Sequence, residues 1–145
     1  MKLPKELING ILIFIGIGIY FMSMNLAGLS NVLVLRLFNV VFILYGVNKT
    51  IVSNLIEGNK GFLSNAISAF STSFIGVFFS ILGLLAYSYL NGGDAFIQNL
   101  SKTFLFGGNP SVNIYCISLF IEGIASSVIV TLLLMLYYNN KYLSD

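Results

Sequence analysis

An all-helical integral membrane protein is the fold class this sequence predicts, and three observations carry that prediction. Charge-free stretches recur along the chain: Leu7–Leu35, Gly61–Gly93, Thr103–Ile121 and Gly123–Asn140 contain no Asp, Glu, Lys or Arg. A bilayer core of about 30 Å is crossed by about 20 apolar residues in a helix, and these runs are of that order. Composition agrees, with 57% apolar residues, 8% charged residues and a mean hydropathy of +0.94; soluble domains carry about a quarter charged residues. The runs are also continuous, whereas membrane β-strands alternate in segments of about 10 residues. At 145 residues one domain is expected. The prediction is a single transmembrane four-helix bundle over residues 1–145, with one short interfacial helix between spans three and four.

The first span is expected at about Ile8–Leu29, with Pro4 outside its start and Ala27-Gly28-Leu29-Ser30-Asn31 closing it. Its apolar run exceeds the roughly 7–15 residues of a signal-peptide core, so it is expected to be retained. The second span, about Val32–Ser53, carries Arg36 near its first turn and Lys49 near its other end. A polar link, Glu57-Gly58-Asn59-Lys60-Gly61, leads to the third span at about Ala66–Leu90. Asn91-Gly92-Gly93 then stops that helix, and Asp94 is placed to cap the next. Phe96, Ile97, Leu100 and Phe104 recur at helical spacing opposite Gln98, Asn99 and Lys102. That pattern predicts an amphipathic helix over about 94–106, lying at the membrane surface either to tidy the loop or to act as a lid or partner-docking element. The fourth span, about Val112–Tyr138, is entered through the helix breakers Gly107-Gly108-Asn109-Pro110.

With four spans, both termini and the middle link share one side. Lys2, Lys5, Lys49, Lys60 and Lys141 fall there, against Arg36 and Lys102 on the other side. Positive charges favour the cytoplasm, so the expected location is the inner (cytoplasmic) membrane with both termini inside. Tyr137, Tyr138 and Tyr142 would anchor the inner interface.

The third span carries the most regular pattern. Ala66, Ala69, Ser73, Gly76, Ser80 and Gly83 alternate at spacings of three and four, which keeps them on one seam. Small residues let helix backbones approach closely in lipid, where little hydrophobic force acts between helices. The seam therefore marks a helix-packing face, toward another span or another protein. Glu122 is the acid inside a span, about ten residues into the fourth and thus about 15 Å deep. A carboxylate at that depth is costly unless protonated, paired or wetted. It is either a coupling group for a proton or cation, or a structural acid, buried and hydrogen-bonded or paired with Arg36.

Several chemistries are excluded. The chain has no His and a single Cys, Cys116, so an internal disulfide and a His/Cys metal site are impossible. Cys116 itself reads as a small hydrophobe. No GxSxG elbow, P-loop or paired-aspartate motif occurs, and no Lys lies at depth for Ser-Lys catalysis. No enzyme, no catalytic residue and no cofactor are expected. The net charge of +2 is scattered, and no nucleic acid is expected as a partner.

The layout resembles a family of small four-pass inner-membrane proteins of unknown function, common in Bacteroidota. The resemblance lies in the paired first hairpin and in Glu57-Gly58-Asn59-Lys60-Gly61-Phe62-Leu63-Ser64-Asn65-Ala66 leading into a small-residue span. The amphipathic stretch Asp94–Phe106 before a last helix completes it. It implies a four-pass fold and carries no activity or site residues. Two functional expectations result. One is a non-catalytic membrane subunit or scaffold, surrounded by the lipid bilayer and associating with other membrane proteins or with itself. The other is a small oligomeric transporter or channel using Glu122.

Overall fold

A computed structural model describes residues 4–101 and 108–142, and every regular element among them is helical. Helix α1 spans Lys5–Leu26, α2 Leu33–Leu37, α3 Asn39–Ile56, α4 Phe62–Leu90, α5 Asp94–Leu100 and α6 Val112–Tyr137. A 3₁₀ turn at Asn139–Lys141 follows. Four stretches are long and apolar enough to cross a membrane: α1, α2 with α3 taken together, α4 and α6.

Three of these helices stop in the same way. After α1, Gly28 adopts φ +70°, which lets Leu29 N–H reach back to Met24 O and Gly28 N–H to Asn25 O. Gly58 closes α3 with the equivalent pair, Asn59 N–H to Asn54 O and Gly58 N–H to Leu55 O. Gly92, at φ +114°, ends α4 with Gly93 N–H on Ser88 O. A left-handed residue after the last turn satisfies carbonyls that the helix leaves unpaired, and glycine adopts it without a steric penalty.

The boundaries differ from the sequence expectation in specific places. The second span is not one continuous helix: it breaks at Phe38, whose N–H bonds Leu35 O at i−3 instead of the residue four back. That tightening is a 3₁₀ step, and no glycine or proline announces it. The same span extends to Ile56, because the Gly58 stop lies beyond Ser53. Helix α4 starts at Phe62 because Asn65 Nδ2 donates to Asn59 O and Gly61 O, tying the preceding loop to its first turn.

Helix α4 is the centre of the bundle, packed against α1, α3 and α6; α1 and α6 each also pack on α3. Ile13, Ile43, Val47 and Val77 lie in the main core. Along the small-residue seam, Ala69, Ser73 and Gly76 are buried, and Ala66, Ser80 and Gly83 are half-buried. The seam faces α1. A side chain built at Gly76 would strike Ile13, and one at Gly83 would meet the Phe14 ring. Ser73 and Ser80 donate to carbonyls of their own helix, Ser73 to Phe70 O at 2.9 Å and Ser80 to Gly76 O at 2.7 Å.

The stretch after α4 departs from its expected form. Gly93 is the residue preceding the helix, Asp94 is its first residue, and the helix ends at Leu100. Residues 102–106 of the expected helix lie outside the described residues. Ile97 and Leu100 are buried against Val112, Tyr115 and Cys116, with Leu84 and Leu85 alongside. The apolar face of α5 is thus taken up by α4 and α6. Asp94 contributes to a different helix: its Oδ1 accepts from Val112 N–H at 2.9 Å, supplementing the Ser111 cap at the start of α6.

Candidate functional site

A cavity of about 310 Å³ lies among all the membrane-length helices. Drug-sized ligand pockets begin at about this volume. The α2–α3 break brings Arg36 and Asn39 to its wall, and α6 contributes a stripe of Tyr115, Leu119, Glu122 and Ser126. Those four positions alternate at spacings of four and three, so one face of α6 looks into the cavity. The rest of the lining is mainly apolar, from α1 and α4. Met22, Leu37 and Glu122 also line it and are exposed, which marks its open rim.

Arg36 sits with its guanidinium carbon 5.6 Å from the centroid of the Tyr115 ring, within cation–π range. Its Nη1 is buried and makes no hydrogen bond among the described residues, and the same is true of Asn39 Oδ1. Burying polar atoms without a partner is unfavourable by about 1–3 kcal/mol each. One of the two expected structural forms of Glu122, an ion pair with Arg36, is not made. Among the described residues the only ion pair joins Lys5 and Glu57, at the opposite end of the bundle. The reason is depth: Arg36 is held over Tyr115, and Glu122 lies seven residues further along α6, about 10 Å of helix rise.

A second polar feature was not anticipated from the sequence. Asn9 Nδ2 donates to Thr50 Oγ1 at 2.9 Å, and Thr50 Oγ1 lies 2.9 Å from Thr72 Oγ1. Thr72 donates in turn to Ser68 O, and the Ser68 hydroxyl donates to Glu6. The chain ties α1, α3 and α4 together, with Asn9, Thr50 and Thr72 all buried. Its available signal was the presence of Asn and Thr within apolar spans, since such groups need partners in lipid. What was missing was which helix would supply each partner. Tyr138 makes a comparable link, donating to Asn48 Oδ1 at 2.7 Å and joining α6 to α3.

The two polar features differ in what they offer. The Asn9–Thr50–Thr72 chain is internally satisfied and structural. The cavity presents a cation and an acid that do not neutralise each other, beside apolar walls. Cys116 packs in the α5–α6 core, and among the described residues no group of three His, Cys, Asp or Glu side chains converges as a metal site would require. No family model matches the chain, and no curated protein or solved structure shows significant similarity to it.

Proposed function

We propose that this chain is a non-catalytic, multi-pass inner-membrane protein whose working part is the cavity at Arg36, Asn39 and Glu122, and that it binds an amphipathic molecule drawn from the bilayer. Both termini lie in the cytoplasm by the lysine asymmetry, which puts the Arg36 end of the cavity toward the outer leaflet. The observation that carries the reading is the cavity itself, whose mainly apolar walls also carry Arg36 and Glu122, two charged side chains that form no ion pair among the described residues.

A scaffold that docks other membrane proteins through the third-span seam has less support, because α1 occupies that seam. A transporter reading is favoured by one observation, the exposed position of Glu122 on the cavity rim without an ion pair among the described residues. Under that reading, proteoliposomes would show a pH-dependent flux that Glu122→Gln abolishes.

Gly18 provides the test of the cavity. It lines the space, and a Cβ there meets nothing within 4 Å, so Gly18→Phe fills the cavity without straining the backbone. The wild-type protein should bind an environment-sensitive fluorophore carrying an acyl chain saturably. Gly18→Phe should lose that binding while keeping its thermal stability. Equal binding by both proteins would remove the cavity from consideration.

A further inference from the structure

We infer that the lysine-bearing end of the bundle holds a site for an acidic phospholipid headgroup, its phosphate bracketed by Lys60 and Lys141 in a hollow between α3 and the turn after α6. This site is separate from the cavity at Arg36 and does not rest on it.

The hollow has a volume of about 500 Å³ and is walled by Leu55 and Ile56 on α3, by Lys60 in the following link, and by Tyr138, Lys141 and Tyr142 beyond α6. Local structure brings its two cations together. The Gly58 stop turns the chain out of α3, so Lys60 lies just past that helix. After α6 the 3₁₀ turn folds the chain back, with Lys141 N–H on Tyr138 O at 2.8 Å. The Lys141 ammonium comes to rest 5.4 Å from the centre of the Tyr138 ring. That ring is itself fixed, since its hydroxyl donates to Asn48 on α3. The Tyr142 ring then meets the Phe62 ring edge-on at 5.6 Å. This contact pins the segment that carries Lys141 to the segment that carries Lys60.

Charge specifies the headgroup. No acid lines the hollow. Glu57, next to Ile56, is taken by Lys5, and neither Lys60 nor Lys141 forms an ion pair among the described residues. Two like charges on one hollow repel each other, and an anion between them relieves that repulsion. The carbonyl ends of α3 and α6 would oppose an anion, but Gly58, Asn59 and Lys141 N–H already answer carbonyls at those ends. A zwitterion would find no acid for its ammonium group, so net negative charge is required. The apolar flank specifies a lipid and not a free anion. Ile56 stands 80% exposed at the rim, and Val52, one turn deeper on the same face of α3, continues it. Lysines and tyrosines at the end of a span mark the headgroup level, and basic pockets between spans are suited to acidic headgroups. An acyl chain leaving the hollow runs along Ile56 and Val52.

The test uses the full-length protein in nanodiscs containing phosphatidylglycerol, phosphatidylethanolamine and phosphatidylcholine in equal amounts, with identical acyl chains. Lipid retained on release is counted by native mass spectrometry. The wild type should retain phosphatidylglycerol over both zwitterionic lipids by about twenty-five-fold, about fivefold for each lysine beside the headgroup. Lys60→Gln and Lys141→Gln should each cut that preference about fivefold, and the two together should abolish it. Both lysines are exposed and outside any ion pair among the described residues, so thermal stability should not move. Lys49→Gln removes another exposed lysine, on α3 but outside the hollow, and should leave the preference intact. An equal loss there would replace the site with diffuse attraction. Retention of phosphatidylethanolamine equal to that of phosphatidylglycerol would overturn the requirement for net negative charge. Displacement of the lipid by soluble glycerol phosphate at equal concentration would overturn the need for a chain. Gly18→Phe should keep the preference, and its loss in that variant would move the anion to the Arg36 cavity and overturn this site.

Discussion

Ile13 crosses Gly76 with no room for a side chain between them: a Cβ at position 76 would lie 2.7 Å from the Cβ of Ile13 and 3.1 Å from Gly10 O. Gly46 on α3 closes on the same isoleucine from another side. One apolar side chain is thus fitted between two glycines, and three helices meet at the point where α1 crosses. Close approach of this kind replaces the hydrophobic drive that lipid does not provide.

Substitutions along the seam should therefore rank by what they strike. Gly76→Ala meets Ile13 near its branch point and backbone, which cannot yield cheaply, and should cost on the order of 1–3 kcal/mol. Gly83→Ala meets only the far edge of the Phe14 ring at 3.0 Å and should cost less, because the ring can turn. Phe78→Leu, at an exposed position, should change little. Thermal or denaturant unfolding in detergent micelles would read the order. Equal losses at positions 76 and 78 would contradict it.

In the buried polar chain, Thr50 is the shared member. Thr50→Val removes the acceptor of Asn9 Nδ2 and strands that donor, with an expected loss of about 1–2 kcal/mol. Thr72→Val should cost less, since Thr50 still accepts from Asn9 and has Gly46 O, 3.3 Å away, as an acceptor of its own. A double-mutant cycle on Asn9 and Thr50 would show coupling. Additive effects would mean that the two side chains act independently.

Asp94 ties the start of α6 to α5. Asp94→Ala should free Val112 N–H and cost about 0.5–2 kcal/mol, in the range of lost helix caps. Asp94→Asn keeps an acceptor and should retain most of the effect. Hydrogen exchange at the first turn of α6 is the direct measurement: it should accelerate in Asp94→Ala and stay near wild type in Asp94→Asn.

For Glu122, magnitude decides between two readings. Breaking a buried ion pair costs about 3–5 kcal/mol, whereas substitution at an exposed site without specific partners stays within about 0.5 kcal/mol. Because no Arg36–Glu122 pair forms, Glu122→Gln should leave unfolding stability almost unchanged. A loss above about 2 kcal/mol would show that a partner is being removed.

The proposed orientation has its own check. A reporter active only outside the cytoplasm should be silent when fused after Asp145 and active when inserted at Gly108. The reverse pattern would invert the assignment and place Arg36 toward the cytoplasm.

The four long apolar stretches and most of their stops were legible in the sequence, because each depends on local facts. Charge-free length sets the helices, and Gly28, Gly58 and Gly92 lie close to where they end. The small-residue seam stood out in the sequence for a similar reason, since its periodicity lies within one helix. The partner of the seam was not, and neither was the Phe38 break, which no breaker residue marks. The polar residues show the same division. Glu122 and Arg36 were conspicuous because charge in an apolar run is rare, yet their separation depends on how α2 and α6 are offset in depth. Asn9, Thr50 and Thr72 gave no comparable signal, being uncharged and on three different helices. The sequence by itself determined which segments form helices and which residues are unusual within them, since both follow from composition and spacing along one segment. Only the tertiary structure decided that Ile13 fills the space between Gly46 and Gly76, that Asp94 serves α6, and that Arg36, Asn39 and Glu122 share one cavity without pairing, because each depends on how separate helices are set against one another in rotation and depth.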